Sequence, residues 1–137
     1  MQKQIIFKNK LDEVAKIEGF VEEIGEELNL SPAIIGSINL ALEEAVDNVI
    51  MYAYPTSETN EIRLYATTEG EELTFLLTDS GVPFDPTDVK APDLSLPAEE
   101  RPIGGLGIML IKKIMNEVSY QHIDGTNRLT MKKKLSE

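Results

Sequence analysis

Hydrophobic residues recur along the first part of this chain at helical spacing. After a short β-prone segment over residues 4–8, apolar positions recur every three or four residues, which predicts an amphipathic helix. These positions are Leu11, Val14, Ile17, Val21, Ile24 and Leu28. Ser31 and Pro32 are typical of the N-cap and the first position of a helix, and they predict a second helix that continues to about Ala53.

The second part of the chain predicts two hairpins with a third helix between them. Glycine-containing turns separate the β-prone runs within each hairpin. The predicted strands cover residues 61–68, 72–79, 118–123 and 128–135, and the third helix covers residues 106–118. The order β-α-α-β-β-α-β-β predicts an α+β sandwich, with a mostly antiparallel sheet of about five strands and three helices on one face.

Composition and charge narrow the class of protein. With 137 residues, of which 42% are hydrophobic and 27% charged, we expect a single folded domain over residues 1–137. The net charge of -11 argues against a nucleic-acid partner, because nucleic-acid binding depends on Lys and Arg. No apolar run approaches the roughly 20 residues that cross a bilayer, and the N-terminus does not resemble a signal peptide. We therefore expect a cytoplasmic protein that does not contact the membrane.

Glu44 and Asn48 lie one turn apart on the second predicted helix. With Met51, they occupy the side opposite the apolar stripe that is expected to face the sheet. One interpretation is an ordinary polar pair on a solvent-facing surface. The other is a carboxylate and a carboxamide that face a hydrated magnesium ion, since Mg²⁺ prefers oxygen ligands and keeps several waters. The spacing alone does not decide between them.

Two further segments contain candidate binding groups. Asp79 ends an apolar strand and is followed by the turn residues of SGVPFD, so its carboxylate could accept a hydrogen bond from an exocyclic amine; an acidic surface turn is the alternative. Gly104, Gly105 and Gly107 open the third helix and place N–H groups at a helix terminus suited to phosphate. They match neither the G-x-G-x-x-G nor the P-loop pattern, which disfavours those two classes. Between these segments lies a proline-rich loop, of a length typical of functional lids or disordered segments.

In this order, the three segments resemble the motifs of the Bergerat-fold ATPases, the superfamily that contains the catalytic domains of histidine kinases. EEAVDNVIMYAY resembles the N box, DSGVPFDP the first glycine box and GGLGIMLIKKIMNEVSY the second. Within the superfamily, the chain is most similar to the anti-sigma factor serine/threonine kinases of bacterial partner switching. The resemblance extends from the first helix to the last hairpin.

The resemblance implies a role for each matching residue. Asn48 would bind the magnesium ion that bridges the ATP phosphates, and Glu44 would be the general base. Asp79 would accept the adenine amine, Gly81 would let the base approach, and Arg101 could reach the γ-phosphate. The other implied nucleotide contacts are Phe84, Gly104, Gly105, Leu106 and Gly107.

Function follows from the same resemblance. It implies a kinase that uses Mg²⁺ and ATP to phosphorylate an anti-anti-sigma protein, that also binds a sigma factor, that forms a homodimer, and that closes residues 86–103 over ATP as a lid. A nucleotide-dependent binding switch and a slow ATPase without productive kinase activity are the alternatives. Two residues depart from the pattern: Tyr52 replaces the usual histidine of the N box, and Pro83 replaces a glycine. His122, the only histidine, is expected to be structural.

Overall fold

A computed structural model describes residues 1–54, 59–88 and 105–135 of the chain. Within these ranges, five antiparallel strands and three α-helices form the predicted α+β fold. The strands are β1 (Gln2–Lys8), β2 (Glu61–Glu69), β3 (Glu72–Asp79), β4 (Glu117–Ile123) and β5 (Thr126–Lys134). The helices are α1 (Lys16–Leu28), α2 (Pro32–Asn48) and α3 (Gly105–Ile114).

The sheet has the strand order β1-β2-β3-β5-β4, with every neighbouring pair antiparallel. Strand β5 therefore lies between β3 and its own hairpin partner β4. In the register of this pairing, Asp79 at the end of β3 lies opposite Asn127 at the start of β5. Chain order alone does not indicate that these two polar residues are neighbours.

Both hairpin turns confirm the sequence prediction. Gly70 has a φ of +60°, and Asp124 and Gly125 have φ values of 51° and 75°, which are left-handed conformations that tight hairpin turns require. Helix α3 ends four residues earlier than predicted, because Asn116 already pairs with β5. The backbone N–H of Asn116 donates to Lys132 O at 2.7 Å, and its Oδ1 accepts from Lys134 N at 2.7 Å.

The predicted start of α1 at Leu11 is wrong. Residues Leu11–Glu13 form a separate 3-10 turn, and Leu11 is 66% exposed. Helix α1 itself begins at Lys16 and buries one apolar face, formed by Ile17, Phe20, Val21 and Ile24. No helix in residues 1–54, 59–88 and 105–135 is both long and apolar enough to cross a membrane.

Helix α2 begins as predicted, since Ser31 Oγ accepts a hydrogen bond from Ile34 N at 3.3 Å and Pro32 occupies the first turn. After Asn48, the helix continues to Ala53 as one π-helical turn over Val49–Ala53. Such wide turns are rare and occur frequently at functional sites. The apolar side of α2 packs into the core, where Ile38, Leu42 and Val46 are fully buried.

A close contact joins the end of this π-helical turn to the loop after β3. The N–H of Val82 donates to Ala53 O at 2.8 Å. A Cβ atom added at Gly81 would lie 2.3 Å from the same oxygen, so only glycine fits here. This contact holds the C-terminal end of the α2 segment against the C-terminal end of β3.

We expect Gly81→Ala to destabilise the fold, because the added methyl group meets backbone atoms that cannot rotate away. The free energy of unfolding should fall by about 1–3 kcal/mol, measured by chemical denaturation. The matched control is Gly36→Ala in α2, where an added Cβ has no atom within 4 Å. This control should raise stability by up to about 1 kcal/mol, since alanine favours helix. Equal effects of the two substitutions would contradict the interpretation.

Candidate functional site

Asn48 is buried, which argues against the first of the two interpretations, an ordinary polar pair on a solvent-facing surface. Only 7% of its surface is exposed, whereas Met51 in the next turn is 56% exposed. Glu44, one turn earlier, is half-buried. The two polar residues are covered because α3 packs against this side of α2.

The first turn of α3 passes directly over these two side chains. A Cβ atom added at Gly107 would lie 3.0 Å from Glu44 Oε2 and 3.4 Å from Asn48 Nδ2. Glycine therefore allows a close approach of backbone to carboxylate and carboxamide. Helix N-termini present unpaired N–H groups and a partial positive charge, which favour a bound anion.

The environment of Glu44 suits proton transfer. Burial raises the pKa of its carboxyl, and the negative charges of Asp47 and Glu43 raise it further. A carboxylate with a raised pKa is a stronger general base. Glu43 accepts a hydrogen bond from Asn39 Nδ2 at 3.0 Å, whereas Glu44 has no such partner among the described residues.

Asp79 is the second buried acidic residue of the site, with 4% of its surface exposed. Its Oδ1 accepts hydrogen bonds from Gly81 N and from Asn127 Nδ2, both at 2.9 Å. Burial raises the pKa of this carboxyl, and the hydrogen bonds from Asn127 and Gly81 act in the opposite direction. Its Oδ2 has no donor among the described residues and is the acceptor that remains for a ligand.

Asn127 was missed by the sequence analysis. It is 4% exposed and bonds Asp79, the loop after β3 and Tyr120. An asparagine near the start of a strand carries no recognisable motif, and its importance depends on the pairing of β3 with β5. Only the three-dimensional register brings it beside Asp79.

Phe84 lies beside the same group of residues and stacks on Tyr52, with ring centroids 4.9 Å apart and an angle of 27° between the rings. Asn48, Asp79, Phe84 and Asn127 line one small cavity. Its volume of about 10 Å³ holds about one water molecule, far below the roughly 300 Å³ of a small ligand pocket. A larger depression of about 510 Å³ lies on the other face of the sheet, between Arg63 and Arg128, away from Glu44 and Asn48.

The structure thus brings most of the described candidates together. Glu44, Asn48 and Gly107 form one cluster, and Asp79, Gly81 and Phe84 adjoin the cavity that Asn48 also lines. Gly105 and Leu106 lie in the first turn of α3. Arg101, Gly104 and most of the predicted lid lie outside the described residues. His122 is exposed and lies opposite Asn127 in the sheet, close enough for its charge to lower the pKa of Asp79.

The candidate residues between α2, α3 and the end of β3 agree with the family that the sequence matches. Residues 7–133 match the histidine kinase-like ATPase domain family, and the chain belongs to this family. The match covers all the elements from the end of β1 to β5. It confirms the superfamily inferred from the three sequence motifs.

Similar proteins of the family include bacterial serine/threonine kinases, as the sequence resemblance indicated. The serine/threonine-protein kinase BtrW of Bordetella bronchiseptica is 30% identical over 95 residues, which are 69% of this chain and 67% of that protein. The serine-protein kinase RsbW of Bacillus cereus is 28% identical over 127 residues, which are 90% of this chain and 79% of that protein.

A solved structure supports the fold independently. The crystal structure of the RsbU and RsbW domains of a Mycobacterium tuberculosis protein matches 100% of this chain with a TM-score of 0.71 and 16% identity. The match covers 33% of that longer chain, so this protein corresponds to about one third of it. At this identity, the likeness shows the fold alone.

The residues present fit a magnesium-bound nucleotide. Asn48 is almost fully buried, yet its carboxamide has no hydrogen-bond partner among the described residues, and glycine at 107 places no side chain against it. No group of three or more Asp, Glu or His in the described ranges forms a ready metal site. Mg²⁺ bound with phosphates needs few protein ligands, so a single carboxamide oxygen is compatible with it.

Asp79→Asn should have opposite effects on the stability of the fold and on nucleotide binding. The asparagine Oδ1 can still accept from Gly81 and Asn127, while the buried charge is removed. Because burial raises the pKa of Asp79 above its unfolded value, the ionised carboxylate destabilises the fold as the pH rises through the folded pKa. The melting temperature of the variant at pH 7 should therefore exceed that of the wild type, and the difference should shrink in acid.

The same substitution should weaken ATP binding at least about 10-fold, because an NH₂ group replaces the acceptor at Oδ2. Calorimetric titration with ATP and thermal melting at several pH values give the two results. Unchanged ATP affinity in a folded variant would exclude Asp79 as an acceptor for the base.

Proposed function

We propose that this protein is an ATP-dependent serine/threonine kinase that acts as an anti-sigma factor and phosphorylates an anti-anti-sigma protein. The observation that carries the proposal is the position of Gly107, which places the start of α3 against Glu44 Oε2 and the Asn48 carboxamide. This arrangement combines a base, a metal-binding oxygen and a phosphate-binding helix terminus. The kinases BtrW and RsbW are similar over most of the chain.

In the proposed reaction, Glu44 Oε2 accepts the proton of a serine or threonine hydroxyl on the partner protein. The hydroxyl oxygen forms a bond to the γ-phosphorus as the bond from that phosphorus to the ADP oxygen breaks, which gives a phosphorylated protein and ADP. Asn48 Oδ1 would hold the magnesium ion, which neutralises phosphate charge when bound. Asp79 would orient the adenine through Oδ2. Phosphoryl transfer depends mainly on positioning and charge, and these groups supply both.

Partners and location belong to the same proposal. We expect a sigma factor and a phosphorylatable antagonist as protein partners, a homodimer as the functional state, and a cytoplasmic location. The net charge of -11 supports regulation through protein partners rather than direct contact with DNA.

A nucleotide-dependent binding switch is the second candidate, and the small size of the cavity supports it. A space of about 10 Å³ has to widen before it can admit a base, so nucleotide binding would move Phe84 or the residues around it. In a switch, this movement would change partner affinity without phosphoryl transfer. The two candidates differ in whether labelled γ-phosphate reaches the antagonist protein.

Glu44→Gln should reduce transfer of labelled γ-phosphate to the antagonist by about 10²–10⁴-fold, because the carboxamide cannot accept the hydroxyl proton. ATP affinity should stay close to that of the wild type, since Glu44 is not proposed to hold the nucleotide. Glu43→Gln is the matched control, because this neighbouring carboxylate is bonded to Asn39 and points elsewhere. Equal transfer by the Glu44 and Glu43 variants would remove Glu44 from the role of base.

Asn48→Ala should weaken magnesium-dependent ATP binding by at least about 10-fold, because it removes the proposed oxygen ligand of the metal. Calorimetry with ATP, with and without Mg²⁺, measures the effect. Asn39→Ala is the control, since Asn39 lies on the same helix but bonds Glu43. Wild-type affinity in the Asn48 variant, or no binding of ATP by the wild type, would contradict the proposed function as a whole.

A further inference from the structure

Asn127 uses all of its hydrogen-bonding capacity within the protein. Its Nδ2 donates to Asp79 Oδ1 and to Val82 O, both at 2.9 Å. Its Oδ1 accepts from the Tyr120 hydroxyl and from Phe84 N, the latter at 3.4 Å. A carboxamide has two N–H donors and two acceptor positions, so no capacity remains for a ligand.

The orientation of this carboxamide is determined by its partners. The carbonyl oxygen of Val82 can only accept, and the backbone N–H of Phe84 can only donate. A flipped amide would therefore lose its contacts on both sides. Asn127 is also 4% exposed, and buried networks in which every group is paired are rigid.

The rigid Asn127 side chain also holds the carboxyl of Asp79 in place. Asn127 and Gly81 both bond Oδ1, which leaves Oδ2 without a donor among the described residues. Two donors directed at one oxygen fix the plane of the carboxyl and favour its ionised form. In that form, Oδ2 can accept a hydrogen bond but cannot donate one.

We propose that Asn127, oriented by Tyr120, is a positioning residue that makes the site select nucleobases with an exocyclic amine at the position facing Asp79. Adenine carries an amine there, and hypoxanthine carries a carbonyl oxygen. A fixed acceptor pairs with the amine and repels the carbonyl oxygen. The inference rests on the proposed ATP site and assigns base selection to a residue that has no capacity to touch the base.

The test compares two variants of nearly equal shape. Asn127→Thr retains a donor directly opposite Asp79, and Asn127→Val has none, while both residues suit a strand. For each protein, calorimetry with Mg²⁺ measures the affinities for ATP and for inosine triphosphate. We expect the wild type and Asn127→Thr to prefer ATP to a similar degree. In Asn127→Val, the ATP preference should fall by between about 10-fold and 100-fold, as for the loss of a hydrogen bond to a charged group.

The ratio of the two affinities distinguishes a loss of positioning from a loss of stability. Partial unfolding weakens the binding of both nucleotides equally and leaves this ratio unchanged. Tyr120→Phe removes only the hydroxyl that orients the carboxamide and should reduce the ATP preference in the same direction. An unchanged ratio in Asn127→Val, or an equal loss in Asn127→Thr, would overturn the inference while the kinase proposal stands. If the wild type binds neither nucleotide, both proposals fail.

Discussion

The contact between the Ala53 carbonyl and the loop after β3 is the constraint on which the site depends. Val82 N–H donates to this oxygen at 2.8 Å, and Gly81 has no side chain to keep the two segments apart. The contact fixes the end of the α2 segment against the end of β3. Asn48 lies one turn before Ala53 in the α2 segment, and Asp79 lies directly before the loop at the end of β3. Both residues therefore line the same cavity. Backbone atoms make this contact, which explains why the side-chain pattern does not predict it.

The two buried carboxylates have different surroundings, and the difference indicates different chemistry. Burial raises the pKa of both Glu44 and Asp79. At Asp79 the cost of burial is only partly offset by the donors from Gly81 and Asn127, which favour the ionised carboxylate. Glu44 has no donor among the described residues and has acidic neighbours instead. A carboxylate in that setting accepts a proton readily, which suits a base rather than a binding group.

Local signals in the sequence were sufficient for much of the fold. Ser31 and the turn residues Asp124 and Gly125 act through their own backbone geometry, so the second helix and the last hairpin were predicted correctly. Leu11 was wrongly predicted to lie in the first helix, because a separate 3-10 turn leaves it outside the core. The spacing of Asn48 on its helix does not predict its burial, because α3, which is distant in sequence, covers it. Asn127 had no signal at all, since its role arises from strand register.

The proposed opening of the cavity and the proposed selection of the base depend on different hydrogen bonds of Asn127. Phe84 forms part of the cavity wall, and its N–H donates to Asn127 Oδ1 at 3.4 Å, which is a long and weak hydrogen bond. The bond from Asn127 to Asp79 measures 2.9 Å. If Phe84 moved to admit a base, the bond between Asn127 and Asp79 would therefore remain in place. Because Phe84 also stacks on Tyr52 in the π-helical turn, the same movement would act directly on the segment that follows Asn48.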